Sequence, residues 1–106
     1  MDMNEGRNDG DIIYQQEIKI KEDYTVGELH DIMAENGAEL LLRTLKDVES
    51  GKAPRISQSE SEATFAYKID KTLGEIDWEQ SAEDIYNLIR GVNPWPGAYT
   101  KLDDEI

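Results

Sequence analysis

The chain has 106 residues, 33% of them charged, with 24 acidic against 11 basic side chains and a formal net charge of −13. That exceeds the roughly 25% charge of soluble domains, limits the chain to one domain's worth of core, and argues against a nucleic-acid surface, because these residues repel phosphate. The absence of cysteine excludes disulfides, thiolate metal sites and thiol nucleophiles and fits a cytoplasmic protein. No apolar run approaches the ~20 residues that span a bilayer, and the acidic first residues lack the pattern of a signal peptide.

The opening MDMNEGRNDGDIIY is rich in Gly, Asn and Asp. Calcium loops need acidic ligands in a fixed register. Asp2 and Asn4 fit the first two places, but Gly6 occupies the third, so an ordinary turn or a ligand-facing loop is the better reading. Asn8-Asp9-Gly10 has turn chemistry. Asp11 to Ile20, DIIYQQEIKI, then alternates in the manner of a strand.

Thr25 with Glu28 three residues on is a capping box that starts a helix. Val26, Leu29, Met33, Leu40, Leu41 and Val48 form its apolar stripe. Gly37 on that stripe predicts close approach to a packed neighbour, with a bend near Asn36-Gly37. Gly51 and Pro54 stop the helix near Ser50. His30, the only histidine, lies near the stripe and reads as a packed helix residue rather than a base or a ligand.

Periodicity disappears from Lys52 to about Thr72. Phe65 and Tyr67 in SQSESEATFAYKI predict an extended arm lying on another surface. Glu60 and Glu62 read as a solvated charge run, not an acid–base pair. Gly74 precedes the strand-like EIDW. Ser81 and Asp84 cap a second helix whose Ile85, Leu88, Ile89 and Val92 are in helical phase, and Pro94 ends it. Trp78 and Trp95 read as core or interface residues, since no basic surround accompanies them. Asp103-Asp104 predicts a hairpin turn, and the sequence stops two residues later. The expectation is a hairpin left open and a truncated segment.

Read in order, MNEGRNDGDIIY, LHDIMAENGAELLLRTL, SQSESEATFAYKI and GEIDWEQSAEDIYNLIRGVNPWPGAYT resemble methionyl-tRNA formyltransferases from Met1 to Ile106. The most specific stretch is IDWEQSAEDIYNLIRGVNPWPGAY. The resemblance implies an α/β fragment. Residues 1–53 would be the last strand and helix of a Rossmann-like catalytic domain. Residues 54–73 would be a connector arm, and 74–106 the helix and first strand leading into an OB-like barrel.

It further implies transfer of formyl from 10-formyltetrahydrofolate to the methionine amine on initiator tRNA, with no metal. The tRNA would be held by the full-length enzyme and not by this acidic segment alone. Catalysis in the family uses an Asn, a His and an Asp, the first two from a region absent here. The family's loop reads G-x-D-T-G-D; here Gly6-Arg7-Asn8-Asp9-Gly10-Asp11 puts Asn8 at the aspartate position. Asp9 is a candidate substitute one residue along. Glu5, Gly6 and Arg7 would line the pterin pocket. Alone, the segment is expected to be inactive, with exposed apolar helix faces available for self-association. The alternatives are a fragment of a sugar N-formyltransferase and a non-catalytic acidic interaction module.

Overall fold

Thr25 caps the helix as predicted: the Glu28 amide donates to Thr25 Oγ1 at 3.2 Å, and Glu28 Oε1 accepts from the Thr25 hydroxyl at 3.3 Å rather than from its backbone amide as in a full capping box. It satisfies one of the amides that a helix start leaves without an intrahelical acceptor. In the computed structural model, which describes all residues except Glu5 and Arg7, this helix, α1, runs unbroken over Val26–Glu49. Its C-terminus closes with the Lys52 amide on the Asp47 carbonyl and the Gly51 amide on the Val48 carbonyl. Gly51 has φ +74. This is the Schellman arrangement, which requires a left-handed residue and so favours glycine.

Two compact units draw on this helix: Met1–Lys19 with Met33–Ala66, and Ile20–Ile32 with Tyr67–Ile106. In the first unit the strand predicted over 11–20 reduces to one antiparallel pair. Ile12 and Ile56 exchange bonds of 2.7 and 2.8 Å. A ladder needs a partner edge along its length, because each extended residue presents its own donor and acceptor. Among the described residues, only the short stretch around Ile56 lies alongside. Ile13 is the buried apolar residue of this unit. Tyr14 hydroxyl donates to the Asp47 carboxylate, and the Arg43 guanidinium lies over the Tyr14 ring, 4.5 Å from its centroid. The Asp47 hydrogen bond is the main cause that holds the Tyr14 phenol above its ordinary pKa.

The surroundings of α1 differ from what its sequence led one to expect. The helix is unbroken through Asn36-Gly37, and a Cβ at Gly37 would meet nothing within 4 Å among the described residues. The apolar stripe leaves Val26, Met33, Leu41 and Val48 exposed. His30 is not packed: its side chain is 80% exposed and faces Asp31 at 3.4 Å. Its place lies at the border of the stripe, where helical phase alone does not decide burial.

In the second unit α2 spans Ala82–Gly91, with Ser81 accepting from the Asp84 amide at 3.1 Å as predicted. Val92, at the end of α2, is the buried apolar residue here, 2% exposed. The chain then turns through Asn93–Gly97, with both X-Pro bonds cis, and the Gly97 amide returns to the Val92 carbonyl at 2.8 Å. Tyr99 comes alongside Glu75 in parallel. Its amide donates to Gly74 and its carbonyl accepts from Ile76, at 2.8 and 2.9 Å. Gly74 is buried, and a Cβ there would collide with the Gly97 carbonyl. Asn93 also accepts from the Gly27 amide at 3.0 Å, and Arg90 donates to the Tyr24 carbonyl at 2.8 Å.

The hairpin predicted at Asp103-Asp104 closes, contrary to the expectation that two residues of return strand are too few. Both aspartates have positive φ, +50 and +68, as a two-residue primed turn demands. Leu102 and Glu105 exchange both backbone bonds. Trp78 and Trp95 are exposed, not buried as core residues; Trp78 Nε1 donates to Thr100 Oγ1 at 2.8 Å. Phe65 and Tyr67 are each 85% exposed, and Glu60–Glu62 forms a solvated 3₁₀ turn.

Candidate functional site

The loop that carries Asn8 is held at three levels. At its base the Asp2 amide donates to the Asp11 carbonyl at 2.9 Å, which pinches the chain into a closed loop. Gly10 is buried there, and a Cβ would strike the Asp2 carbonyl. Only glycine lets the two backbones approach so closely. One residue beyond the base, the Ile12–Ile56 pair brings residues 55–58 alongside.

From that neighbouring stretch two side chains reach back. Arg55 pairs with the Asp2 carboxylate, and that bond is the main cause raising the guanidinium pKa further. Solvent screens the pair, so it orients the loop more than it stabilises it. Gln58 Nε2 donates to the Asn8 carbonyl at 2.9 Å and to the Gly10 carbonyl at 2.7 Å.

Asn8 itself is exposed and left-handed, with φ +53. Asn and Asp tolerate that conformation far better than branched residues do. The loop is therefore not regular extended chain, and strict alternation of neighbouring side chains does not apply to Asn8 and Asp9. Asp9 is exposed; its carboxylate packs against the face of Gly6 where a side chain would stand. Glu5 and Arg7 lie outside the described residues. The structure thus gathers Gly6, Asn8 and Asp9 in one loop. His30 lies in the second unit, outside it.

Arg55 and Gln58 are the residues that sequence reading missed. One signal was present: Arg55 is the only cation between Lys52 and Lys68. Nothing in the spacing tied it to Asp2. Among the described residues no group of three or more His, Asp or Glu could hold a metal ion. No helix among them is long and apolar enough to cross a membrane.

Residues 68–106 match the family model described as formyl transferase, C-terminal domain. The chain is 59% identical to the methionyl-tRNA formyltransferase of Halothermothrix orenii, over 94% of this chain and 32% of that protein. It is 49% identical to the methionyl-tRNA formyltransferase of Clostridioides difficile, over 100% of this chain and 34% of that one. In fold it is similar to a 4-N formyltransferase from Francisella tularensis, with a TM-score of 0.80 and 19% identity, covering 98% of this chain and 45% of the other. The chain spans about a third of the length of the curated relatives it matches. Along nearly its whole length it is similar to methionyl-tRNA formyltransferases, and its fold is similar to part of that 4-N formyltransferase.

Proposed function

We propose that this chain is a segment of a methionyl-tRNA formyltransferase. The whole enzyme transfers formyl from 10-formyltetrahydrofolate to the methionine amine on initiator tRNA, and works in the cytoplasm. Residues 1–53 supply the last strand and helix of a Rossmann-like catalytic domain. Residues 54–73 form the connector, and 74–106 lead into an OB-like C-terminal domain. The observation that carries this reading is the 59% identity over 94% of the chain. Exposed apolar residues along α1, among them Met33, Leu41 and Leu45, face the remainder of the catalytic domain on this reading.

Asn8 stands at the position of the family's catalytic acid. An aspartate there orients a histidine and favours its protonated form through charge; an amide of nearly the same shape supplies no charge. Asp9 is the second candidate, but its carboxylate is turned onto Gly6. Glu5, Gly6 and Arg7 are proposed to form one wall of the pterin site.

The described residues do not make a folate site by themselves. The Asn8 and Gly10 carbonyls already accept from Gln58. The open cavity of about 230 Å³ in the second unit, lined by Tyr24, Leu29, Asn87 and Arg90 among others, belongs to a different part of the chain. The tRNA is proposed to bind through the rest of the enzyme, because a net charge of −13 repels its phosphates.

The test is formylation of methionyl-tRNA with 10-formyltetrahydrofolate. The isolated 106-residue chain is expected to give no turnover, since it lacks the Asn and His of the family's catalytic set. A chimera in which the chain replaces the matching third of the Halothermothrix orenii protein, with Asn8→Asp, is expected to be active. Turnover by the isolated chain, or an inactive but folded chimera, contradicts the proposal.

A further inference from the structure

We infer that Gln58 is a positioning residue that sets the conformation of the Asn8–Gly10 loop, and through it the direction of the side chain at position 8. The inference rests on reading that loop as the remnant of a formyltransferase active site. Its geometry stands independently of that reading.

A glutamine amide carries two N–H donors. Here the two bonds go to two carbonyls of one loop, at 2.9 Å to Asn8 and 2.7 Å to Gly10, both normal lengths for N–H···O bonds. Each carbonyl belongs to a rigid peptide plane. Fixing the plane after Asn8 and the plane after Gly10 leaves only Asp9 and Gly10 between them. It also holds Asn8 in its left-handed conformation, and the Cα–Cβ direction follows from the backbone there.

The donor is itself anchored. Ile56, two residues before Gln58, is paired with Ile12 through both backbone bonds. Arg55 holds Asp2 at the loop's other end. Met1 Sδ lies 3.4 Å from Nε2 and adds a weak acceptor. The stretch 55–58 thus grips the loop at its base and near its tip. Loop and grip are about 50 residues apart in sequence, so connector and loop order each other.

Two variants test the assignment. Gln58→Met keeps the length and removes the donors; Gln58→Glu keeps the shape and turns an acceptor toward the two carbonyls. In the 106-residue chain, NMR is expected to show the carbonyl carbons of Asn8 and Gly10 shifting in both variants, with the Ile12 and Ile56 amides in place. Unmoved carbonyl resonances in either folded variant overturn the inference. In the Asn8→Asp chimera, either substitution is expected to lower kcat about ten-fold, the worth of two neutral hydrogen bonds. KM for methionyl-tRNA should change less than about two-fold, since the loop orients a catalytic group rather than the acceptor. Unchanged kcat also overturns it. If the chimera transfers no formyl before Gln58 is altered, the functional reading fails, and the carbonyl shifts alone still judge the clamp. Should Gln58→Met unfold the chain, Gln58→Glu decides.

Discussion

The Asn8 loop and the Asn93–Tyr99 turn solve the same problem in different ways. Each closes around a buried glycine pressed against a backbone carbonyl, Gly10 on Asp2 and Gly74 on Gly97. The turn is held by backbone bonds, from Gly97 to Val92 and between Tyr99 and the Gly74–Ile76 stretch. It follows a capped helix and carries Val92 in its core. Among the described residues, the loop shows a backbone pinch at Asp2 and Asp11 and side-chain bonds from Arg55 and Gln58. A backbone-held turn survives most single side-chain changes. A side-chain-held loop is sensitive to one residue that lies far away in sequence.

The sharpest way to break the comparison is to add a methyl group at both glycines. Gly10→Ala and Gly74→Ala each force a Cβ into a carbonyl that cannot rotate away, and each is expected to cost about 3 kcal/mol. Urea unfolding followed by circular dichroism measures it. A loss confined to Gly74→Ala would mean that the loop yields where the turn does not. Next in size, Val92→Ala should destabilise the second unit by about 2 kcal/mol, as expected for a fully buried Val side chain cut back.

The capped helices were readable because their signals are local. Thr25 with Glu28, Ser81 with Asp84, and Gly51 after the last helical residue each lie within a few positions of their partners. The Asp103-Asp104 turn was readable for the same reason, although its closure by Glu105 was not expected. The grip on the loop was invisible because it joins Asp2, Asn8 and Gly10 to residues 55–58 with no repeating pattern between them. The predicted strand shows only the Ile12–Ile56 pair among the described residues, because alternation says which faces differ, not whether an edge lies alongside. The stripe on α1 marked an apolar face but not what covers it; Met33 and Leu41 remain exposed. The place of Asn8 came from resemblance to a family motif, which composition could not have supplied.

Smaller effects sharpen the picture of α1 and α2. Ser81→Ala removes the acceptor for the Asp84 amide and should cost about 1 kcal/mol. Gly37→Ala should stabilise α1 by about 1 kcal/mol, because the added methyl meets no atom of the described residues within 4 Å. Paired denaturation curves of the two variants would shift in opposite directions. A destabilising Gly37→Ala would show that something does pack on that face.

The smallest effect concerns pH. Hydrogen bonds from the Thr72 hydroxyl and amide hold the Asp70 carboxyl below its ordinary value of 3.8. A carboxyl lowered in the folded state contributes stability above its unfolded pKa and loses it as pH falls through the folded value. NMR titration of Asp70 should therefore give a midpoint below 3.8. Thr72→Ala should bring the midpoint part of the way back, leaving the amide's share.

The central claim is that this chain is a formyltransferase segment whose loop carries an amide at the position of the acid. The most direct measurement compares methionyl-tRNA formylation by the chimera with and without Asn8→Asp. The left-handed backbone at position 8 accepts either residue, so the comparison isolates the charge. The expected result is a rate at least about 100-fold higher with Asn8→Asp, the scale of a proton-transfer group restored to its place. Equal rates in the two folded chimeras would contradict the account.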